Sequence, residues 1–345
     1  MFKGCNLYNF IISNGGYINP KLIPNEKSKT NRYIITSEKI PQNEKIIYIP
    51  DKVLISQIHK LVYKKCLEAY GPEEGNDFDC IVYFMTIDKY NSSSFFKPYY
   101  DYLPKMNKED FITDLTQEEI DIYKDIGITK ALEFYNKFYK KALEPVEQRL
   151  KNFCEKKGIK YENILNEFKY NFDMVATRNF GRPDSYYDHS TMVPFLDLIN
   201  HSDKNNTFWF YDDLKMGYTL IAGKDINPNE EITDLYGQYH NLHLYTNYGF
   251  VIPGNIYHEY VYIEINKEKY TFHEDNFNSA INNIFSTLIK KENYDKIKAK
   301  KYVINCLNKK LEYYLNIKKK CNRFNLKVII DEHISIINKV ITMIP

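Results

Sequence analysis

The sequence lacks closely spaced cysteines. Its six cysteines are scattered and no two stand two or three residues apart, which excludes the ligand spacing of zinc knuckles and zinc clusters. We expect reduced thiols, as in a cytoplasmic or nuclear protein. No apolar run approaches the roughly 20 residues that a membrane helix needs. The first thirteen residues predict a short helix that ends at residues 14–16, and they make a poor signal peptide.

Neither sign of charge predominates, and arginine is scarce. Lys+Arg number 47 and Asp+Glu 45, so the net charge of +2 gives no reason to expect a nucleic-acid partner. With 27% charged and 43% hydrophobic residues, the chain has the composition of a folded globular protein. The arginines are Arg32, Arg149, Arg178, Arg182 and Arg323. Because arginine is so rarely used, the neighbours Arg178 and Arg182 stand out.

The first half of the chain changes from strands to helices. β-branched runs at 32–36 and 45–50 flank a Pro/Asn turn and predict a hairpin, and a run at 53–55 is a candidate to extend its sheet. From about residue 57 to 184, apolar residues recur at three- and four-residue spacing, which predicts helices. Pro145 is expected to break or start one of them.

The second half repeats that order. Runs at 207–211 and 218–222 predict a hairpin, 257–265 predicts a further strand, and helical spacing returns from about residue 271. Strands far apart in sequence then share one core, so the predicted class is α+β, with a helical insertion and an appended helical domain. The predicted parts are an N-terminal strand half, the insert, a C-terminal strand half and the helical domain, at 1–56, 57–184, 185–265 and 266–345.

Polar residues gather at the end of an apolar run that begins at Thr191. Asn200 and His201 are costly near a core unless each has a partner, so they either form a turn satisfied by its own backbone or bind a polar ligand. A metal site is a further alternative. The His201-Ser202-Asp203 triplet, with later histidines, could form the facial triad of an iron oxygenase. That fold needs about eight regularly spaced strands, which the helical middle does not supply.

Several short segments stand along the chain in a distinctive order and at distinctive spacing. They are Gly15-Gly16 with the first hairpin and Ile49-Pro50, residues 94–104 (SFFKPYYDYLP), Thr177-Arg178-Asn179-Phe180, Asp197 with Asn200-His201-Ser202, Glu231-Ile232 with Tyr236-Gly237, and Asn241 with Tyr248-Gly249-Phe250-Val251. Together they resemble the SET-domain methyltransferases of the Rubisco large-subunit methyltransferase type. The resemblance extends from about residue 10 to 255, and its most specific part combines Asn-His with Tyr-Gly-Phe.

The resemblance implies a small knotted SET β fold with a helical insert and a helical C-terminal domain that presents the protein substrate. It implies S-adenosyl-L-methionine (AdoMet) as cofactor, no metal, and protein-lysine N-methylation as activity. The implied catalytic residues are Tyr236 and Tyr248. The implied cofactor-binding residues are Asn31, Arg32, Tyr33, Arg178, Asn200, His201 and Tyr236. The implied substrate-binding residues are Phe180, Arg182, Asp197, Tyr248 and Phe250.

In the family, matching residues hold the cofactor at defined groups. Arg178 corresponds to an arginine that pairs with the cofactor carboxylate, Asn200 would meet its amino-carboxylate end, and backbone atoms of His201 would read the adenine edge. One departure concerns the first hairpin, where the family has a Gly-x-Gly against the cofactor. Here Thr30, Asn31 and Arg32 stand in its place, so either the backbone path differs or cofactor affinity is weaker.

On the substrate side, Tyr236 would orient the amine at the transfer point, and Tyr248 with Phe250 would wall the lysine channel. The fold would bring Tyr236 beside Asn200 and His201. A free lysine has a pKa of about 10.4, so only about one in a few thousand is neutral at pH 7. Burial near a sulfonium lowers that pKa, and alignment supplies the remaining rate enhancement.

Two further alternatives stay open within the resemblance. The glycine departure suggests a catalytically weak or inactive scaffold that kept the fold, and actin-specific relatives suggest a histidine target. We expect a monomer in the cytoplasm or nucleus that acts on a lysine-containing protein, such as a histone or another nuclear or cytosolic protein. Neither a nucleic acid nor a membrane is expected as partner, because acidic residues interleave with the lysines of the tail.

Overall fold

Short strands and longer helices alternate in the computed structural model, which describes residues 5–26, 32–71, 76–104, 111–181, 190–265 and 268–344. The strands are β1 (Tyr17–Ile18), β2 (Leu22–Glu26), β3 (Arg32–Thr36), β4 (Lys45–Pro50), β5 (Asn179–Phe180), β6 (Thr191–Met192), β7 (Asn200–His201), β8 (Thr207–Asp212), β9 (Gly217–Ala222), β10 (Thr233–Asp234), β11 (Val261–Ile265) and β12 (Glu268–Phe272). The helices are α1 (Asn6–Ser13), α2 (Lys60–Tyr70), α3 (Asp77–Asp88), α4 (Lys97–Tyr100), α5 (Gln117–Tyr123), α6 (Ile128–Leu143), α7 (Glu147–Lys157), α8 (Tyr161–Arg178), α9 (Asn241–Tyr248), α10 (Phe277–Glu292), α11 (Lys296–Lys320) and α12 (Phe324–Met343).

The chain forms two compact units, one of residues 1–107 and 136–238 and the other of residues 108–135 and 239–345. The α+β class predicted from the sequence is confirmed, since both units combine strands with helices. The four-part division drawn from the sequence stays a prediction. Among the described residues, no helix is long and apolar enough to cross a membrane.

A four-stranded antiparallel sheet in the order β1-β4-β9-β8 organises the first unit. Its central strand β4 buries Ile47 and Ile49 completely. The hairpin predicted for 207–211 and 218–222 is confirmed as β8 and β9. Gly217 begins β9, where a side chain would collide with the Ile49 carbonyl of β4. The close approach of β9 to β4 therefore requires a glycine.

The hairpin predicted for 32–36 with 45–50 is wrong. β3 pairs with β2, whereas β4 pairs with β1 and β9. The polar segment between the two runs does turn tightly, since the Glu44 N–H donates to the Pro41 carbonyl at 3.1 Å, but Ile40, just before that turn, bridges to Ile226. β2 itself is hidden in the sequence by Pro24, since a proline within a run usually argues against a strand or confines it to an edge.

The run at 53–55 does not extend the sheet either. Asp51–Val53 forms a 3₁₀ turn, and Ile55 makes an isolated bridge to Met192 of β6. This bridge fixes the segment that leads from the sheet into the helices. Ser56 and its neighbours therefore lie against β6, far along the chain.

Helices form over much of the stretch 57–184 in which they were predicted. α3 is buried from Asp79 to Thr86, because it packs between α2 and α8. Pro145 lies in the 3₁₀ turn Glu144–Val146 that separates α6 from α7, which confirms the break predicted there.

One cysteine pair contradicts the expectation of reduced thiols throughout. Cys66 of α2 and Cys80 of α3 form a disulfide, with their Cα atoms 5.2 Å apart. Cys5, Cys154, Cys306 and Cys321 are free. The pairing depends on the packing of α2 against α3, which the spacing of cysteines along the sequence does not indicate.

Two very short strands, β7 and β10, pair in parallel, with Asn200 opposite Thr233 and His201 opposite Asp234. The pairing joins segments more than thirty residues apart. It brings the Asn-His motif to the segment that contains Tyr236.

The second unit has its own core. β11 and β12 form a hairpin, and α10, α11 and α12 pack with it around buried residues such as Leu307, Ile330 and Ile337. The strand predicted over 257–265 is shorter than expected, because only Val261–Ile265 is paired. Helical spacing was predicted from about residue 271; β12 extends to Phe272, and the first long helix of this region, α10, begins at Phe277.

Candidate active site

A strained turn carries the acidic residue of the site. Phe195 is fully buried and has φ of 77°, a region that bulky side chains rarely adopt and that costs about 1–3 kcal/mol. The 3₁₀ turn Leu196–Leu198 follows, and its Asp197 is almost completely buried. The surrounding core therefore holds this backbone in place, and the strain is of the kind that gathers at functional sites.

Arg178 and Asp197 form a buried ion pair at the end of α8. Arg178 donates from one terminal nitrogen to the Asp197 carbonyl at 2.8 Å and lies 3.4 Å from Oδ2. Tyr99, within the 94–104 motif, donates its hydroxyl to the same Oδ2 at 2.8 Å. Three motif segments that are distant in sequence therefore meet at one carboxylate.

The electrostatics of this pair are set by burial and by each partner. Burial raises the pKa of Asp197 above its usual range, and Arg178 limits the rise. Burial acts to lower the pKa of Arg178, but Asp197 and the nearby tyrosines raise it above its ordinary value, so the guanidinium stays charged. Arg178 Nε is buried and has no hydrogen-bond partner among the described residues. An unmet buried donor costs about 1–3 kcal/mol, which a bound acceptor would remove.

The Asn200 side chain of β7 connects β3 to the segment that precedes β10. Its side-chain nitrogen donates to the Arg32 carbonyl at 3.0 Å and to Glu231 Oε1 at 2.9 Å. The amide therefore holds the backbone of β3 in the position where the family has its Gly-x-Gly, and what it can still offer a ligand is the oxygen Oδ1.

The Arg32 side chain turns away from its own strand. Its guanidinium donates to the Tyr102 carbonyl at 2.9 Å and lies over the Tyr102 ring, 4.9 Å from the centroid. The bulk that replaces a glycine is thus bound to the 94–104 motif, while the Arg32 backbone stays in contact with Asn200. Tyr33 follows in β3 and is half-buried.

Tyr236 lies beside the Asn-His motif, as expected. Its backbone N–H donates to His201 Nδ1 at 3.0 Å, and the two ring centroids are 5.3 Å apart. Burial lowers the pKa of His201, so its ring is neutral at pH 7 and carries its proton on Nε2. The Tyr236 hydroxyl donates to the Ile199 carbonyl at 2.7 Å, and the ring is only half-buried.

Aromatic rings and one buried carboxylate lie next to the contact between Tyr236 and His201. The sequence did not predict Trp209, Tyr218 or Asp234 as part of the site. Phe180 packs edge-on against Trp209 at 5.3 Å and against Tyr218 at 6.1 Å. Burial raises the pKa of Asp234 to about 6, while hydrogen bonds from the Leu235 amide and the Trp209 side chain act to lower it. Trp209 is the single tryptophan of the sequence, and that rarity was the available signal.

Tyr248 and Phe250 belong to the second unit. The Tyr248 ring lies 6.2 Å from Phe250 and 6.2 Å from Tyr239, whose ring stacks on His243 at 4.0 Å. Burial raises the pKa of Tyr248 to about 12, and Tyr239 adds to the rise. Tyr248 is therefore a neutral phenol at pH 7 within an aromatic cluster.

Asn241 of the same motif is a structural residue. It is fully buried and exchanges hydrogen bonds with the backbone of Ile252, and it donates to Glu332 of α12. Burial raises the pKa of Glu332 to about 8, and Glu259 adds to the rise. These bonds fix the first turn of α9, the helix that ends at Tyr248.

Two predicted site residues, Asn31 and Arg182, lie outside the described residues. The roles assigned to the other predicted residues stay predictions, although Arg178, Asp197, Asn200, His201 and Tyr236 are brought together in one unit. For the metal alternative, no group of three or more His, Cys, Asp or Glu side chains among the described residues could hold an ion. His201 Nδ1 is already occupied by the Tyr236 amide.

Comparison with known proteins adds a family and a fold. The family model for the SET domain matches residues 31–237, which is more than half of the chain. SET domain-containing protein 4 of Artemia parthenogenetica is 27% identical over 187 residues, covering 51% of this chain and 45% of that protein. Ribosomal lysine N-methyltransferase 4 of Saccharomyces cerevisiae is 22% identical over 293 residues, covering 74% and 54%. The chain thus spans about half the length of these relatives.

Solved structures give the same fold over nearly the whole chain. The SET domain of LSMT bound to lysine and AdoHcy has a TM-score of 0.65 at 13% identity, covering 98% of this chain and 90% of that one. Rubisco LSMT bound to AdoMet has a TM-score of 0.64 at 14% identity, with the same coverage. The expected SET fold of the Rubisco methyltransferase type is therefore confirmed.

Proposed function

The chain belongs to the SET-domain family, and from that premise we propose that it is an AdoMet-dependent protein-lysine N-methyltransferase. One observation carries the proposal: Arg178, Asn200, His201 and Tyr236 converge within one unit, and all four fall inside the residues that the family model matches. Similar folds were solved with AdoMet and with lysine, and a relative is a ribosomal lysine methyltransferase, which supports the same activity for this chain.

The residues around Arg178 suit AdoMet. The buried Nε of Arg178 lacks an acceptor, and a guanidinium fork matches the carboxylate at the methionine end of the cofactor. Asn200 Oδ1 would accept from the amino group beside it. When bound, the cofactor supplies a methyl group on a sulfonium, which is already a good leaving group.

The task left to the protein is to deliver a neutral amine in line with that methyl group. The Tyr236 hydroxyl donates its hydrogen bond to the Ile199 carbonyl, so the lone pairs of its oxygen can accept from the lysine amine. Such alignment is worth roughly 7 kcal/mol or more of the barrier. The half-buried aromatic rings of Phe180 and Trp209 favour the neutral amine, because they replace water around it. The lysine ammonium would first lose a proton to water, and its neutral nitrogen would then take the methyl group that bound AdoMet supplies.

The test is transfer of labelled methyl from AdoMet to proteins of a cell lysate or to histones, together with calorimetry of AdoMet binding. Labelled protein and a saturable binding isotherm are expected. No transfer to any protein, with no AdoMet binding, would refute the proposal. Acid hydrolysis of the labelled protein then separates methyllysine from methylhistidine, and methylhistidine would favour the histidine alternative.

A non-catalytic scaffold is the second candidate, favoured by the Arg32 departure. Against this candidate, the Arg32 guanidinium is bound to the Tyr102 carbonyl, so its side chain need not fill the cofactor's place. Turnover on any target would remove this alternative. We further propose a monomer of the cytoplasm or nucleus that acts on a lysine-containing protein; gel filtration and cell fractionation test both points.

A further inference from the structure

One helix of the second unit, α11, is strongly basic. Its 25 residues include nine lysines and a single acidic residue, Glu312. Five exposed lysines fall within an arc of about 100° around the helix axis, at 3.6 residues per turn. These are Lys298, Lys301, Lys309, Lys319 and Lys320, and together they form what we call the basic face. We propose that the basic face binds the sugar-phosphate backbone of double-stranded RNA.

The acidic residues that alternate with lysines in this part of the sequence lie outside α11. Two of them belong to the 3₁₀ turn Glu274–Asn276, and Glu292 is the last residue of α10. Asp295 caps the start of α11, where it accepts the Lys298 N–H at 2.7 Å. The expectation of no nucleic-acid partner therefore does not hold for α11, in which only Glu312 opposes the lysines.

Acidic side chains of neighbouring elements pair with other lysines of α11. Lys310 binds Asp125 at 2.7 Å, and Lys318 binds Asp331 of α12. The basic face itself has no ion pair with any residue that the structure describes. Because like charges on one helix face repel each other, a bound polyanion would relieve that repulsion.

The basic face is long, and the core behind it holds it in place. Lys298 and Lys320 lie about 33 Å apart along the axis, at a rise of about 1.5 Å per residue. The opposite side of α11 is buried at Val303 and Leu307 and packs against α10, α12 and β11. The helix therefore cannot insert into the major groove of DNA, which is about 12 Å wide, and it contacts a duplex along its backbone. A duplex such as B-DNA carries about one negative charge per 1.7 Å of its axis, so a duplex offers phosphates along the whole basic face.

The other exposed side chains of α11 favour a nucleic acid over a membrane or a protein. Asn305 and Asn316 lie within the same arc, and asparagine amides bond to phosphates and sugars. The exposed apolar side chains of this helix, Ile297 and Leu315, are about 27 Å apart along the axis. They form neither the apolar stripe that membrane binding needs nor the clustered anchors of a protein interface.

Two features favour duplex RNA over the other nucleic acids. No exposed side chain of α11 is aromatic, whereas proteins that bind single strands stack the bases on aromatic rings. RNA has a 2′-hydroxyl that both donates and accepts, and the amides of Asn305 and Asn316 can bond to it. DNA lacks that group, so we assign RNA rather than DNA.

Binding is tested on the full chain without AdoMet, by fluorescence anisotropy of a labelled RNA duplex of about 16 base pairs. We expect saturable binding that weakens about 500-fold between about 50 and 200 mM salt, because five lysines each displace a counterion from a phosphate. The unlabelled competitors are a DNA duplex of the same sequence, poly-L-glutamate and phosphatidylserine vesicles. Each should compete at least about threefold less well than unlabelled RNA. No binding of RNA at about 50 mM salt, or equal competition by any of the three, would overturn the proposal.

Paired variants assign the binding to the basic face. Lys301→Gln with Lys309→Gln should reduce the slope of log affinity against log salt by about two and weaken RNA binding at least about tenfold. Lys60→Gln with Lys64→Gln is the matched control, because both lysines are exposed on α2 and the net charge changes equally. The control should change RNA binding less than about twofold. Equal weakening by both pairs, with unchanged melting temperatures, would show attraction to net charge alone and contradict the assignment.

Glu312→Gln supplies a test in the opposite direction. It removes the one acidic side chain of α11, so RNA binding should tighten at least about twofold. Unchanged or weaker binding by this variant would contradict the basic face as the RNA site. None of these measurements needs methyl transfer, so their outcome and that of the labelling assay for the proposed function are independent of each other.

Discussion

Removing the hydroxyl of Tyr236 separates a role in methyl transfer from a role in folding. In Tyr236→Phe, the bond of 2.7 Å to the Ile199 carbonyl is lost, and a partly buried carbonyl loses its partner. That costs about 1–3 kcal/mol of unfolding free energy, or a melting temperature lower by several degrees. Because the hydroxyl also orients the amine, we expect kcat to fall on the order of 100-fold or more. AdoMet affinity should change less than about twofold, since Arg178 and Asn200 are untouched.

The assay combines initial rates of labelled methyl transfer at saturating AdoMet with calorimetry of AdoMet binding. Tyr313→Phe is the matched control, because its hydroxyl also donates to a backbone carbonyl, that of Ile122 at 2.9 Å, within the second unit. The control should lose similar stability and keep its kcat. If Tyr236→Phe lost AdoMet affinity in proportion to kcat, its ring would be structural, and if neither changed, the hydroxyl would not act in transfer.

Three further predictions follow from the same unit and its neighbour. In a calorimetric titration, Arg178→Lys should weaken AdoMet binding at least about tenfold, because a lysine cannot present a planar fork of donors. Arg149→Lys is the control and should leave AdoMet binding unchanged; in the parent protein, Arg149 Nε donates to the Ala69 carbonyl at 3.0 Å. The fluorescence of Trp209 should titrate with a midpoint near pH 6, the pKa of Asp234, and the variant Asp234→Asn should lose that step. Because the pKa of Asp234 is raised in the folded state, the free energy of unfolding should fall as the pH rises from about 4 through 6. The pKa of Glu332 in the folded state is about 8, so the free energy of unfolding should fall further as the pH rises to about 8. At pH 9 the variant Glu332→Gln should have a higher melting temperature than the parent protein. Equal melting temperatures at pH 9 would contradict a buried carboxyl that resists ionisation.

The sequence predicts the elements of this fold better than their partners. The runs at 32–36 and 45–50 are strands as expected, but alternation along one strand does not say which strand lies beside it. β3 pairs with β2, and β4 pairs with β1 and β9, while Ile40, in the polar segment between β3 and β4, bridges to Ile226. β7 and β10, at two residues each, are too short for any periodic signal and were reached only through the family motif.

The same limit applies to the site. Motif order predicted that Tyr236 would lie beside Asn200 and His201, which the structure confirms. It did not predict that Tyr99 and Arg178 would share the Asp197 carboxylate, or that Trp209 would bond to Asp234. The first contact depends on how the helices before β5 pack against Asp197, and the second on the approach of β10 to β8. No spacing within one segment of the sequence records either of them.

The parallel pairing of β7 with β10 also governs when the site can exist during synthesis. Translation at about 5–20 residues per second leaves a few seconds between the emergence of His201 and that of Tyr236. Throughout that interval a nascent chain on the ribosome holds Asn200 and His201 without the strand that completes them. Shortened products that end before Thr233 should therefore be unable to assemble the pocket at all, and such chains would depend on chaperones to stay soluble.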